Sequence, residues 1–279
     1  MEIPNPDVVE DVADWVELEL ACTTTHFSKT GLSRFLEGAK GEEVDEGFIN
    51  SVWMELKKRQ DEYRIAPFLV GPHIVIRSID WHDIPGYLLC LFFSVYGGSE
   101  NLSKSAKLFE RLTSEIIKKY FDFVVKVFGW PVEADEPKDI ATRARNLAEI
   151  MNEHFIEPPD PDKKDDTLDV VGWKSFHDRR NSHLVVFMQC AIGKDWESKT
   201  RSLRREAWKQ YIHWGCEPVP GIAVPCIVPQ KKWKDVARDA GLVLDRIRIY
   251  NILSQGKNDI ELDKEMRAWC AFQIAAFSY

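Results

Sequence analysis

The chain has 279 residues, 44% hydrophobic and 29% charged, with ten Trp and fifteen Phe. This composition excludes disorder and gives enough apolar surface for one large domain or two small ones. The net charge of −8 sits entirely in residues 1–66, which carry 15 acidic and 7 basic side chains, so any nucleic-acid partner would need a local basic face in the balanced remainder.

No apolar run reaches the roughly 20 residues of a membrane-spanning helix. The N-terminus, MEIPNPDVVEDVADW, lacks the basic and apolar regions of a signal peptide, so a soluble, cytoplasmic protein with no membrane partner is expected. Cys22, Cys90, Cys190, Cys216, Cys226 and Cys270 are scattered, with no CxxC pair. That pattern predicts reduced core thiols rather than a zinc site or a disulfide framework.

Two regions are expected, an acidic α+β region over 1–98 and an α/β domain over 99–279. In the first, helices are predicted from Asn5 to Leu20 and from Glu46 to Tyr63, with Ser28 or Thr30 as a helix cap between them. Residues 67–95 read as β-rich. His73 to Ile79 alternates, while Tyr87 to Val95 (YLLCLFFSV) suits a buried strand or a core helix. Gly97-Gly98-Ser99 breaks the chain. In the second region, Ser103 to Phe121 and Asp139 to Phe155 have helical periodicity. Thr167 to Trp173 and Leu184 to Ile192 form two strands joined by HDRRNSH. A basic helix over Asp195 to Trp214, a strand over Gly221 to Pro229 and a helix over Trp233 to Ala240 follow. Leu242 to Leu253 reads as a strand or a helix. Within it, Asp245-Arg246-Ile247-Arg248 alternates as a half-buried strand should, its arginines pairing with Asp245.

His26 and His213 have no partner Ser or Cys in an elbow-like turn, and neither GxGxxG nor GxxxxGK[ST] occurs. The polar residues that stand out lie elsewhere. Asp169 opens one strand, Gln189 sits inside the apolar strand LVVFMQCAI where an amide must find partners, and Glu110 lies in the helix sequence KLFER. In the order helix, strand, strand, helix, strand, these residues resemble the restriction-endonuclease-like (PD-(D/E)XK) superfamily, in particular its Mrr-like branch. The resemblance covers residues 100–255 and implies an α/β fold with a central mixed sheet flanked by helices, preceded by the mainly helical N-terminal region.

It further implies a DNA endonuclease dependent on Mg²⁺ or Mn²⁺, part of a bacterial restriction or antiphage defence system. Asp169, Gln189 and Glu110 would hold the metal, since hard cations prefer oxygen donors. The superfamily's Lys falls at Ala191, so Lys194 or Lys199 would have to take its place. From Lys194 to Trp214 six basic residues face three acidic ones; Arg201, Arg204, Arg205 and Lys209 would contact the phosphate backbone. The missing Lys also fits a catalytically inactive nuclease fold acting as a DNA-binding or scaffold subunit. The acidic N-terminal region would bind a protein partner or occlude the site.

Overall fold

The computed structural model describes residues 3, 5–98 and 102–277 and is mixed α/β. Contacts divide the chain into two units: Met1–Gly97 with Arg246–Tyr279, and Gly98–Asp245.

The first unit opens with α1 (Val9–Cys22), which starts four residues later than the sequence predicts because Asn5 to Val8 closes a turn. Ser28 is extended and its hydroxyl accepts the Gly31 N–H at 3.0 Å, so it caps α2 (Lys29–Lys40) as expected. It also ends β1 (His26–Ser28). Asp45 caps α3 (Glu46–Glu62) in the same way through Phe48 N–H at 3.1 Å. β2 (Phe68–Val70) and β3 (Ile74–Arg77) join β1 in an antiparallel sheet of order β1-β3-β2. The β-rich character expected as far as residue 95 ends there. Tyr87 to Val95 lies in α4 (Pro85–Tyr96), whose residues from Pro85 to Val95 are all buried. A helix apolar all round is a central helix, and period alone could not separate it from a strand. Gly97 stops it in the left-handed region at φ 74, while Ser99 lies outside the described residues.

The second unit begins with α5 (Leu102–Phe121), β4 (Val124–Val127), α6 (Ile140–Ile150) and β5 (His154–Phe155). It continues through β6 (Val170–Lys174), β7 (Leu184–Cys190), α7 (Arg205–Tyr211) and β8 (Ile212–His213) to β9 (Val219–Ala223), α8 (Gln230–Ala240) and β10 (Leu242–Leu244). Five strands form one mixed sheet, order β10-β9-β7-β6-β4. The β4, β6 and β7 neighbours are antiparallel, and β7, β9 and β10 are parallel. Helices cover both faces. A methyl group on Gly172 would strike Ile117 of α5. On the other face Val171, Trp173, Val185 and Phe187 bury against Leu147 of α6 and Trp208 of α7.

Three expectations need correction here. The helix predicted to Phe155 stops at Ile150, and Asn152 turns at φ 55. The basic helix predicted over Asp195 to Trp214 is broken into a 3-10 turn (Trp196–Lys199), a loop, α7 and β8, which pairs with β5. Leu242 to Leu253 is strand and then helix, switching at Asp245, whose carboxylate accepts the Val228 N–H at 3.3 Å.

The first unit resumes with α9 (Arg246–Leu253) and α10 (Ile260–Phe277). Arg246, read as a strand residue paired with Asp245, is a fully buried helix residue. Its Nη2 donates to Asp14 Oδ1 at 2.6 Å. Arg59 Nη1 donates to the same oxygen at 2.6 Å and to Glu17 Oε1 at 2.8 Å. Tyr63 and Tyr87 donate to Glu17, and Ser94 to Asp14. Buried charges survive only when paired and hydrogen-bonded in this manner.

None of the six cysteines is in a disulfide; Cys90 and Cys270 are buried, whereas Cys216 is exposed and departs from the expected core placement. Among the described residues no helix is long and apolar enough to cross a membrane.

Candidate active site

Helix α5 buries Leu108, Phe109, Leu112, Ile116 and Ile117. Beside that stripe, Lys107, Glu110 and Thr113 follow at three-residue spacing and are buried too, a polar row one step around the helix. Glu110 is only 3% exposed. Lys107 Nζ donates to its Oε2 at 2.5 Å and to the Gly129 carbonyl at 2.7 Å. Arg111 is engaged elsewhere, with Glu133 at 2.8 Å.

Asp169 immediately precedes β6 and is held from three sides. Its N–H donates to the Met188 carbonyl at 3.0 Å, and its own carbonyl accepts from Phe128 and Gly129 at 2.7 and 2.9 Å. Its carboxylate accepts the Cys190 N–H at 2.7 Å. Just upstream, Asp166 and Thr167 both adopt left-handed backbone, at φ 46 and 68. Two consecutive non-glycine residues in this region persist only where surrounding contacts enforce them. Here Tyr211 OH donates to Asp166 at 2.9 Å, Thr167 Oγ1 donates to the Ser202 carbonyl at 3.0 Å, and Arg204 N–H donates to Thr167 Oγ1 at 3.0 Å. The strained turn therefore fixes the approach to Asp169 and ties it to the loop before α7.

Glu110 and Asp169 act on one another. Burial pushes the Glu110 carboxyl up to about 8, the Asp169 charge adds to the rise, and Lys107 opposes it. Asp169 is pushed up to about 7, chiefly by burial and also by Asp165, against the Cys190 N–H and the charges of Lys107 and Lys199. Two carboxylates in a poorly solvated site resist being ionised together, so the pair titrates as a unit. Asp165 is oriented by the Trp130 and Thr167 N–H groups, each at 3.0 Å from its carboxylate.

The other residues singled out in the sequence fall in different places. Gln189 is 9% exposed and its Oε1 accepts from Ser202 Oγ at 2.6 Å; that hydroxyl also lies 2.8 Å from the Lys199 carbonyl. Strand alternation puts Gln189 on the face opposite Cys190, whose thiol meets Thr113 of α5 at 3.4 Å. Glu110 and Asp169 are thus brought together, while Gln189 is joined to the loop carrying Lys199. Lys194 is exposed in the turn after Gly193. Ala191, at the position of the superfamily's Lys, is fully buried in an apolar cluster with Trp196, Ile222 and Val224. Arg201 pairs with Asp239 at 2.8 Å, Arg204 lies 3.6 Å from Asp166, and Lys209 pairs with Glu206 and Glu217. Arg205 is exposed.

Lys107 was not apparent from the sequence, although it stands three residues before Glu110. The usable signal was a lysine on the edge of an apolar stripe, where a solvated side chain would be the rule. Asp165 and Ser202 carried no such signal, because only the folded loops bring them in.

The donor chemistry at Glu110 and Asp169 suits a hard divalent cation, since Mg²⁺ prefers oxygen, keeps several waters and is often held by one or two carboxylates. Among the described residues no group of three His, Cys, Asp or Glu side chains is arranged to enclose a metal by itself. The match is therefore to an open, two-carboxylate site rather than a closed cage. No family model matches the chain, and comparison with curated proteins and with solved structures finds no match.

Proposed function

We propose that the unit Gly98–Asp245 is a phosphodiesterase acting on DNA, dependent on Mg²⁺ or Mn²⁺, with Glu110 and Asp169 holding the cation. The observation that carries this reading is the carboxylate pair itself: two acids from α5 and the start of β6, both with raised proton affinity and both beside Lys107. Unlike the Asp14 and Glu17 cluster, where two arginines balance two acids, this pair leaves its acids with raised proton affinity, and strongly perturbed acids cluster at functional sites. When bound, the cation supplies a water of lowered pKa and neutralises charge on the phosphate.

The chain's own residues supply the rest. Lys107 balances charge at the pair and holds the Glu110 carboxylate in place. Lys199, whose charge also bears on Asp169, would supply an ammonium to a phosphate oxygen. Lys107 thereby enters the role first assigned to Lys194 or Lys199. The order α5, β4, β6, β7, β9, with β7 and β9 parallel, supports the restriction-endonuclease-like reading, and a role in restriction or antiphage defence follows from that resemblance.

Cleavage of plasmid and linear DNA with Mg²⁺ or Mn²⁺ tests the proposal. Metal-dependent nicking by wild type, lost in Asp169→Ala and in Lys107→Met, is the expected result. Absence of nicking under all metals would remove the enzyme reading.

A second reading rests on Ala191. Its burial among Trp196, Ile222 and Val224 leaves no room for a charged side chain at that position, one residue past β7, which suits an inactive core that binds DNA. Salt-sensitive DNA binding without cleavage would favour that alternative.

A further inference from the structure

Beside Gln189, the loop from Lys199 to Arg205, strand β9 and the end of α8 enclose a cleft of about 120 Å³, room for several waters. Its polar lining is unbalanced. Lys199, Arg201 and Arg205 face it with one carboxylate, Asp239, which is shared between Arg201 at 2.8 Å and Arg238 at 3.3 Å. Gln189, 9% exposed, lines the same cleft. Its Oε1 accepts from Ser202, which fixes the amide on the wall of the cleft. A cleft that holds three cations against one carboxylate, with a polar amide on its wall, suits an anion.

The donors select the anion. Guanidinium forks match tetrahedral oxyanions with several oxygens, and two forks, an ammonium and an amide provide more donors than a single carboxylate accepts. We propose that this cleft seats a phosphate group. The proposal deepens the nuclease reading and rests on it only for the natural source of the phosphate: a nucleic-acid strand, or a free phosphorylated small molecule that would regulate the adjacent carboxylate pair through Lys199.

The test uses the full chain without divalent cations, so that the carboxylate pair takes no part. Inorganic phosphate is titrated calorimetrically against wild type, Arg201→Ala, Arg205→Ala and Asp239→Asn, with a melting curve for each. Saturable binding is expected, weakened about tenfold or more by either arginine substitution and tightened by Asp239→Asn, which removes the competing carboxylate. The opposite signs separate loss of the seat from loss of folding. No saturable binding, or equal affinity across the four proteins, would overturn the proposal. A single-stranded oligonucleotide that displaces the phosphate identifies a strand as the source; one that leaves it bound identifies the small molecule. Phosphate binding with these signs in a protein that cleaves nothing would keep the seat and remove the nuclease. Cleavage without phosphate binding would do the reverse.

Discussion

The Glu110 carboxylate rests directly on Gly129: a methyl group added there would lie 2.6 Å from both of its oxygens. Gly129→Ala should therefore displace Glu110 from Lys107 and cost about 1–3 kcal/mol through overpacking. Urea denaturation of the single variants and of Gly129→Ala combined with Glu110→Ala checks this. In the Glu110→Ala background the extra methyl should cost little, so the cycle should show strong coupling. An additive cycle would show that the carboxylate is not what Gly129 makes room for.

The pH dependence of stability should run opposite to that of an ordinary paired acid. Glu110 keeps a proton in the folded chain up to about 8 that the unfolded chain releases near its usual 4.5. Asp169 behaves likewise between 3.8 and about 7. The folded state thus binds more protons across this window, and stability falls as pH rises through it. Urea midpoints from pH 4 to 9 with a chelator present should show the decline, and Glu110→Gln should flatten it. An unchanged slope in that variant would contradict the assignment.

A divalent cation should relieve the same repulsion. Mg²⁺ at a hundred times its dissociation constant should stabilise the chain by about 2.7 kcal/mol, read as a rise in melting temperature, and Asp169→Asn should abolish the rise. Equal shifts in both proteins would place the cation elsewhere.

In the first unit, Arg246→Ala should be among the most damaging single changes. It leaves Asp14 and Glu17 buried with one arginine instead of two, a loss of about 3–5 kcal/mol for an uncompensated buried charge. Although burial works against it, the charges of Arg246 and Arg59 hold the Asp14 carboxyl well below the usual range. Its contribution is present above the ordinary aspartate value of 3.8 and fades only as pH falls further. Acid titration by circular dichroism should show the variant unfolding at higher pH than wild type. By contrast Arg238→Ala, on the exposed end of α8, should change stability by no more than about 0.5 kcal/mol.

What the sequence disclosed followed the range of its signals. Helix α5 was plain because five apolar residues recur at helical spacing, and the β6–β7 hairpin because two apolar runs flank a polar turn. Asp169 was legible as an acid opening a strand. Helix α9 stayed undecided between strand and helix because Arg246 to Ile249 alternates over four residues, a strand-like pattern, while the acids that pair with Arg246 lie more than two hundred residues upstream. Nothing local announces such partners. The break in the basic helix escaped notice for a related reason: Ser202 leaves helical geometry in a loop tied by hydrogen bonds to Gln189 and Thr167, partners that only the folded sheet brings near.

The return of residues from Arg246 onward to the unit begun at the N-terminus has a consequence for biosynthesis. The segment Gly98–Asp245 is interposed within another unit and emerges from the ribosome with its own sheet complete, free to fold as it appears. The helices before it cannot reach their final arrangement until Arg246 arrives to neutralise Asp14 and Glu17, so the order of folding would invert the order of synthesis. Chains truncated before Arg246 should contain a segment, Gly98–Asp245, able to fold alone and an acidic segment exposed to chaperones and proteases.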